Sequence, residues 1–111
     1  MSNNLLESAE AFKNAYLKLQ QFISEDNGSE VTRAGILHAF EFTFELWWKY
    51  LQKYLDSTYV LEDGQAYMDM LRDRNLISHT YKENMAEEIY LRIKGEHINS
   101  LKVFAQKFNL I

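Results

Sequence analysis

Apolar residues recur near the start of the chain at Leu5, Ala9, Phe12, Tyr16, Leu19 and Ile23. Steps of four and three predict an amphipathic helix with a narrow buried stripe, not a strand. Asn4 with Glu7 three residues on is close to a capping box, and Asp26-Asn27-Gly28 forms a stop and turn. The first helix is therefore expected from about Asn4 to about Glu25. A second is expected from near Ser29 to about Leu55, roughly 40 Å long. Its main face carries Leu37, Phe40, Phe44, Trp47, Trp48, Leu51 and Leu55. A second stripe of Gly35, Ala39, Phe42, Leu46 and Tyr50 lies nearly opposite. A helix apolar on two faces sits at the centre of a bundle or between its own core and a partner. In a chain this short, subunit contact is the favoured expectation.

A connection spans Asp56 to Val60, and a third helix starts near an N-cap at Asp63, carrying Tyr67, Met70, Leu71 and Arg74. Ser78 to Lys82 reads as a break. The fourth helix can be capped by Thr80 with Glu83 or by Asn84 with Glu87. Its stripe is Ala86, Ile89, Ile93, His97, Leu101, Phe104 and Phe108, with Gly95 marking close packing or a slight bend. His97 on this stripe is expected as a packed residue, not a ligand. Four helices with short connections predict an all-α, up-and-down four-helix bundle in which residues 1–111 form one domain.

Composition narrows the chemistry. The 111 residues contain no proline, which suits uninterrupted helices. They contain no cysteine, which removes disulfides, thiolate metal sites and cysteine nucleophiles. Twelve Lys and Arg against sixteen Asp and Glu leave a net charge of −4. That balance argues against a broad basic surface for duplex DNA. There is no signal-like start and no apolar run long enough for a membrane, so a cytoplasmic location is expected. Phosphate loops and metal-ligand spacings are absent: the Glu-x-x-His pair of di-iron bundles occurs only reversed, as His38-x-x-Glu41. No cofactor and no metal are expected.

One cluster carries chemistry: Arg74-Asn75-Leu76-Ile77-Ser78-His79-Thr80-Tyr81. Histidine moves protons near neutral pH, and arginine offers a planar fork to a phosphate oxygen. RNA brings its own nucleophile, the 2′-OH, so these groups suffice for phosphodiester cleavage without metal. Spacing alone favours a plainer account, a polar helix end capped by histidine and arginine.

The Arg74-x4-His79-x-Tyr81 pattern, the tract from Gly35 to Lys49 and Glu87-Glu88-Ile89-Tyr90 occur in the order of a known family. Together they resemble HEPN domains of the HepT type, also described as substrate-binding subunits of minimal nucleotidyltransferases. The resemblance implies a homodimer that brings two motifs into one cleft, acting as a metal-independent endoribonuclease toxin. It implies neutralisation by a partner nucleotidyltransferase through adenylylation of the motif tyrosine. Carried over, Arg74 binds phosphate, His79 is the acid/base, Asn75 orients one of them, and Tyr81 is modified. The alternative is a non-catalytic adapter subunit of the nucleotidyltransferase. Two departures stand out. The passage from Asp56 to Glu62 is shorter than in the family, and Trp47 replaces a residue that is usually small.

Overall fold

The structure, a computed structural model, describes residues 3–54, 64–79 and 83–111, with side chains for 5–53, 64–77 and 85–111. The expected helix residue Leu55, the caps at Asp63 and Thr80, and Tyr81 lie outside the described residues. The order is α1 (Asn3–Ser24), α2 (Glu30–Tyr54), α3 (Gly64–His79), α4 (Glu83–Arg92), a π-helical turn (Ile93–His97) and α5 (Ile98–Lys107). The last three form one rod, so the architecture is the all-α helical bundle predicted from periodicity.

The turn between α1 and α2 is built by short polar side chains. Gly28 adopts φ 78°, a left-handed conformation that costs glycine little. Asp26 Oδ1 accepts the Gly28 N–H at 3.0 Å, and Asn27 Oδ1 accepts the Ser29 N–H at 2.9 Å. Ser29 Oγ then accepts the Thr32 N–H at 3.2 Å and caps α2. At the far end, Asn109 (φ 59°) closes α5. The Leu110 N–H bonds to Ala105 O at 2.7 Å, and the Asn109 N–H bonds to Gln106 O at 3.1 Å. These two bonds make a Schellman cap.

The core is Phe12, Tyr16 and Leu19 of α1, Ile36, Phe40, Phe44, Trp47 and Leu51 of α2, Met70 of α3, and Ile89, Ile93, Leu101 and Phe104 of the final rod. Trp47 fills its centre against Phe44, Tyr67 and Phe104, with ring centroids at 5.7, 5.5 and 4.6 Å. Its Nε1 is buried, with no hydrogen-bond partner among the described residues.

The two-faced pattern of α2 follows from its central position. Gly35 faces Phe22 of α1, and Tyr50 packs against Phe108 beyond α5, with centroids 5.8 Å apart. The Thr43 hydroxyl is buried and donates to Ala39 O at 2.6 Å and to Ala15 O at 3.2 Å. The second stripe is thus covered largely from within the chain; Phe42, 59% exposed, is the member left open.

The final rod carries a departure from regular helix that its sequence encodes. Ile89, Ile93, His97 and Leu101 stand four residues apart three times in succession. In an α-helix each such step overshoots a full turn by about 40°, and three steps drift about 120° off the core. The π-turn absorbs the drift: the Ile98 N–H bonds to Ile93 O, five residues back. All four side chains are buried. Gly95 lies inside the turn, and an added Cβ there meets nothing within 4 Å among the described residues, so close packing is not its role.

Candidate functional site

Helix α3 carries the chemical cluster. It continues through Ser78 to His79, where the polar run had suggested a break. Leu76 and Ile77 pack against the core and prolong the buried side begun by Met70, which keeps the backbone helical. Asn84 lies inside α4, which opens at Glu83, so it is not the cap. Arg74 is partly exposed on the side of α3 that faces α2. Its Nη2 lies 3.9 Å from Glu45 Oε1, and its Nη1 donates to Asn75 Oδ1 at 3.2 Å. His79 is the final residue of α3; its side chain, like Tyr81, lies outside the described portion. By helix register, residues 74 and 79 are separated by about 7.5 Å along the axis and about 140° around it.

The residue before the motif arginine is the one that sequence periodicity missed. Asp73 is fully buried, at 0% exposure, on the inward side of α3. Arg92 grips it with two bonds, Nε to Oδ2 and Nη2 to Oδ1, each 2.8 Å. His97 Nε2 lies 2.7 Å from Oδ2, and its ring stacks on Phe40 with centroids 5.2 Å apart and planes at 18°. Burial by itself would raise the Asp73 carboxyl; the hydrogen bonds from Arg92 and His97 outweigh it and hold the pKa at about 2. An ionised carboxylate only accepts, so Nε2 of His97 carries the proton of that bond. The same contact raises Arg92 above the ordinary arginine value. The expectation that His97 is a packed residue holds, with a polar partner that spacing did not reveal. The available signal was the run of four-residue steps, which announces the π-turn.

A second polar cluster ties the α1–α2 turn to the final rod. Asp26 accepts from the Tyr90 hydroxyl, from Lys94 Nζ at 2.8 Å and from the Thr32 hydroxyl at 2.9 Å. Hydrogen bonds from Lys94, Tyr90 and the Gly28 N–H hold its carboxyl far below the usual range. Lys94 also lies over the Tyr90 ring, 4.8 Å from its centroid. Tyr90, which belonged to the recognised Glu87–Tyr90 tract, therefore fastens the bundle at this end.

His38 and Glu41 form only a loose surface pair at 3.8 Å. Among the described residues, no group of three or more His, Asp or Glu side chains is placed to hold a metal ion. Among those residues no helix is long and apolar enough to cross a membrane.

No curated protein matches the chain. A family model, described as nucleotidyltransferase substrate binding protein-like, matches residues 7–60 and 56–109. The two stretches overlap at residues 56–60, between α2 and α3 in the sequence. With nearly its whole length matched, the chain belongs to the nucleotidyltransferase substrate binding protein-like family, the HepT-like group of HEPN proteins that its motifs resemble.

Proposed function

We propose that this protein is a homodimeric, metal-independent endoribonuclease, a toxin held in check by a partner nucleotidyltransferase. The observation that carries the proposal is the display of Arg74 and Asn75 along α3, with His79 at its end, in a chain of this family. In the proposed reaction the 2′-OH of RNA loses its proton to a His79 imidazole and attacks the adjacent phosphorus. Arg74 stabilises the charge that builds on the phosphate oxygens. The 5′-oxygen leaves with a proton from an imidazolium, yielding a 2′,3′-cyclic phosphate and a 5′-hydroxyl. The 140° separation of residues 74 and 79 on one helix supports a dimer, because a second motif alongside the first supplies groups on the opposite side of the phosphate. Asn75, bonded to the Arg74 guanidinium, is suited to orient it.

Regulation is assigned to Tyr81. Its phenol oxygen would attack the α-phosphorus of ATP on the partner enzyme, releasing pyrophosphate. The attached nucleotide brings bulk and negative charge beside His79 and excludes RNA. The family description supports association with a nucleotidyltransferase.

A second reading, a non-catalytic adapter for that enzyme, draws on the −4 net charge and on Glu45 beside Arg74. Cleavage of RNA by the purified protein in the presence of a chelator decides between them. Loss of cleavage in His79→Ala, with the dimer intact, supports the ribonuclease. Equal activity in wild type and variant overturns it, and partner binding without any cleavage establishes the adapter.

A further inference from the structure

We infer that the Asp73–Arg92–His97 group, centred on a buried carboxylate, is a positioning device for the motif helix, with Asp73 the residue that sets where Arg74 points. The π-turn makes the group possible. Arg92 and His97 are five residues apart, a spacing that an α-helix places about 140° apart and on different sides. Bonding from i to i+5 stacks residues five apart, as an α-helix stacks residues four apart. The turn at Ile93–His97 therefore lets a guanidinium and an imidazole from one rod reach a single carboxylate on α3.

The consequence for the motif is geometric. Three hydrogen bonds and the Phe40 stack pin Asp73 inward, which fixes the rotation of α3 about its axis. Arg74 is the next residue, about 100° further round, and this rotation delivers its guanidinium to the α2 side near Glu45. Apolar packing alone would hold α3 less specifically, since of its aliphatic residues that face the core Met70 is fully buried while Leu71, Leu76 and Ile77 are only partly buried. A bidentate arginine–carboxylate pair has one geometry. Asp73 acts through Arg74 and is a positioning residue, not a catalytic one.

In its kinetic arm this inference rests on the ribonuclease reading; its spectroscopic arm does not. The experiment compares Asp73→Asn, His97→Gln and His97→Leu with wild type in the full chain. It reads the ¹⁵N–¹H signal of the Arg74 Nε–H, assigned with Arg74→Lys, and the kcat and KM for RNA. Asp73→Asn is expected to keep its helical circular dichroism, to displace the Arg74 signal, and to lower kcat at least tenfold with KM within threefold. His97→Gln, which keeps a donor, should stay near wild type in both readouts, while His97→Leu should follow Asp73→Asn. A fall in thermal midpoint with the Arg74 signal and kcat unmoved would show a purely structural role and overturn the inference. If the wild type cuts no RNA, the ribonuclease reading fails by itself and the Arg74 signal still decides. If Asp73→Asn does not fold, the two His97 variants decide by the same signals.

Discussion

Asp73 and His97, 24 residues apart in sequence, are both buried and joined at 2.7 Å between Oδ2 and Nε2. A buried carboxylate is tolerated only when its charge is met, and here the imidazole and the Arg92 fork meet it together. Removing the imidazole or the guanidinium leaves the Asp73 carboxylate buried with its charge only partly met, so the group resists piecemeal substitution.

Acid should unfold this protein in part through Asp73. Its carboxyl is held at about 2 when folded, against an ordinary 3.8. The group therefore stabilises the fold fully above the unfolded value, and the contribution disappears as pH falls from about 4 toward 2. The difference corresponds to roughly 2 kcal/mol. Urea unfolding at pH 7, 5, 3 and 2 should show this loss in wild type and its absence in Asp73→Asn. Parallel pH dependences would contradict the assignment. Asp26 is depressed further and keeps its contribution to lower pH, so Asp26→Asn separates the two.

Gly95 separates the cost of glycine from the purpose of the π-turn. An added Cβ meets no described atom within 4 Å, and glycine within a helix costs about 0.5–1 kcal/mol relative to alanine. Gly95→Ala should raise stability by that amount in thermal or urea unfolding. Deleting Gly95 tests the turn itself. With one residue fewer the rod reverts to regular α-helix, in which Arg92 and His97, now four apart, still share a side. A change within about 1 kcal/mol is expected; a loss on the order of 3 kcal/mol, as for a broken buried ion pair, would show that the π-turn is needed to hold the group together.

The helices and most of the core were legible because their stripes follow steps of three and four. Phe12, Tyr16, Leu19, Phe40, Phe44, Trp47, Leu51, Ile89, Ile93, Leu101 and Phe104 were all placed inward by spacing, and all are buried. Asp73 was not legible, because a charged residue between Arg72 and Arg74 reads as solvent-facing. Its partner Arg92 was hidden for another reason: a pair five residues apart has no place in a 3.6-residue template. The Asp26 clip joins residues 64 and 68 positions apart, which no local pattern contains. At Ser78 and His79 a polar run suggested a break, but the packing of Leu76 and Ile77 carries α3 onward. Trp48, assigned to the buried stripe, is 39% exposed and meets the Tyr67 ring at 5.4 Å.

Tyr90 joins the α1–α2 turn to the final rod through its hydroxyl and its ring. Tyr90→Phe keeps the ring beneath Lys94 and removes the two bonds of the hydroxyl, the one it donates to Asp26 and the one it accepts from Lys94 Nζ at 3.1 Å. It should destabilise by about 1–2 kcal/mol, the net worth of two typical hydrogen bonds. Tyr90→Ala loses both ring packing and bonds and should cost about 3–5 kcal/mol, in line with other large aromatic deletions. Wild-type stability in Tyr90→Phe, measured by chemical unfolding, would show that the hydroxyl contributes nothing, and equal losses in the two variants would show that the ring adds nothing.

Glu45 offers the sharpest test of Arg74 as a phosphate ligand. The pair is long, at 3.9 Å, and partly exposed, so it contributes little to the fold. Glu45→Gln should leave the thermal midpoint nearly unchanged. If Arg74 receives RNA phosphate, however, Glu45 competes for the same guanidinium, and relieving that competition should tighten binding. A surface pair of this kind is worth at most about 1 kcal/mol, or roughly a fivefold change in affinity. The measurement is binding of a short single-stranded RNA in a His79→Ala background, so that the RNA stays intact. Glu10→Gln, an exposed change of the same charge on α1, controls for the general reduction of negative charge. Tighter binding in Glu45→Gln but not in Glu10→Gln would locate the phosphate at Arg74. The same small effect in both would mean that only the overall −4 charge opposes RNA, and Arg74 would lose its assigned role.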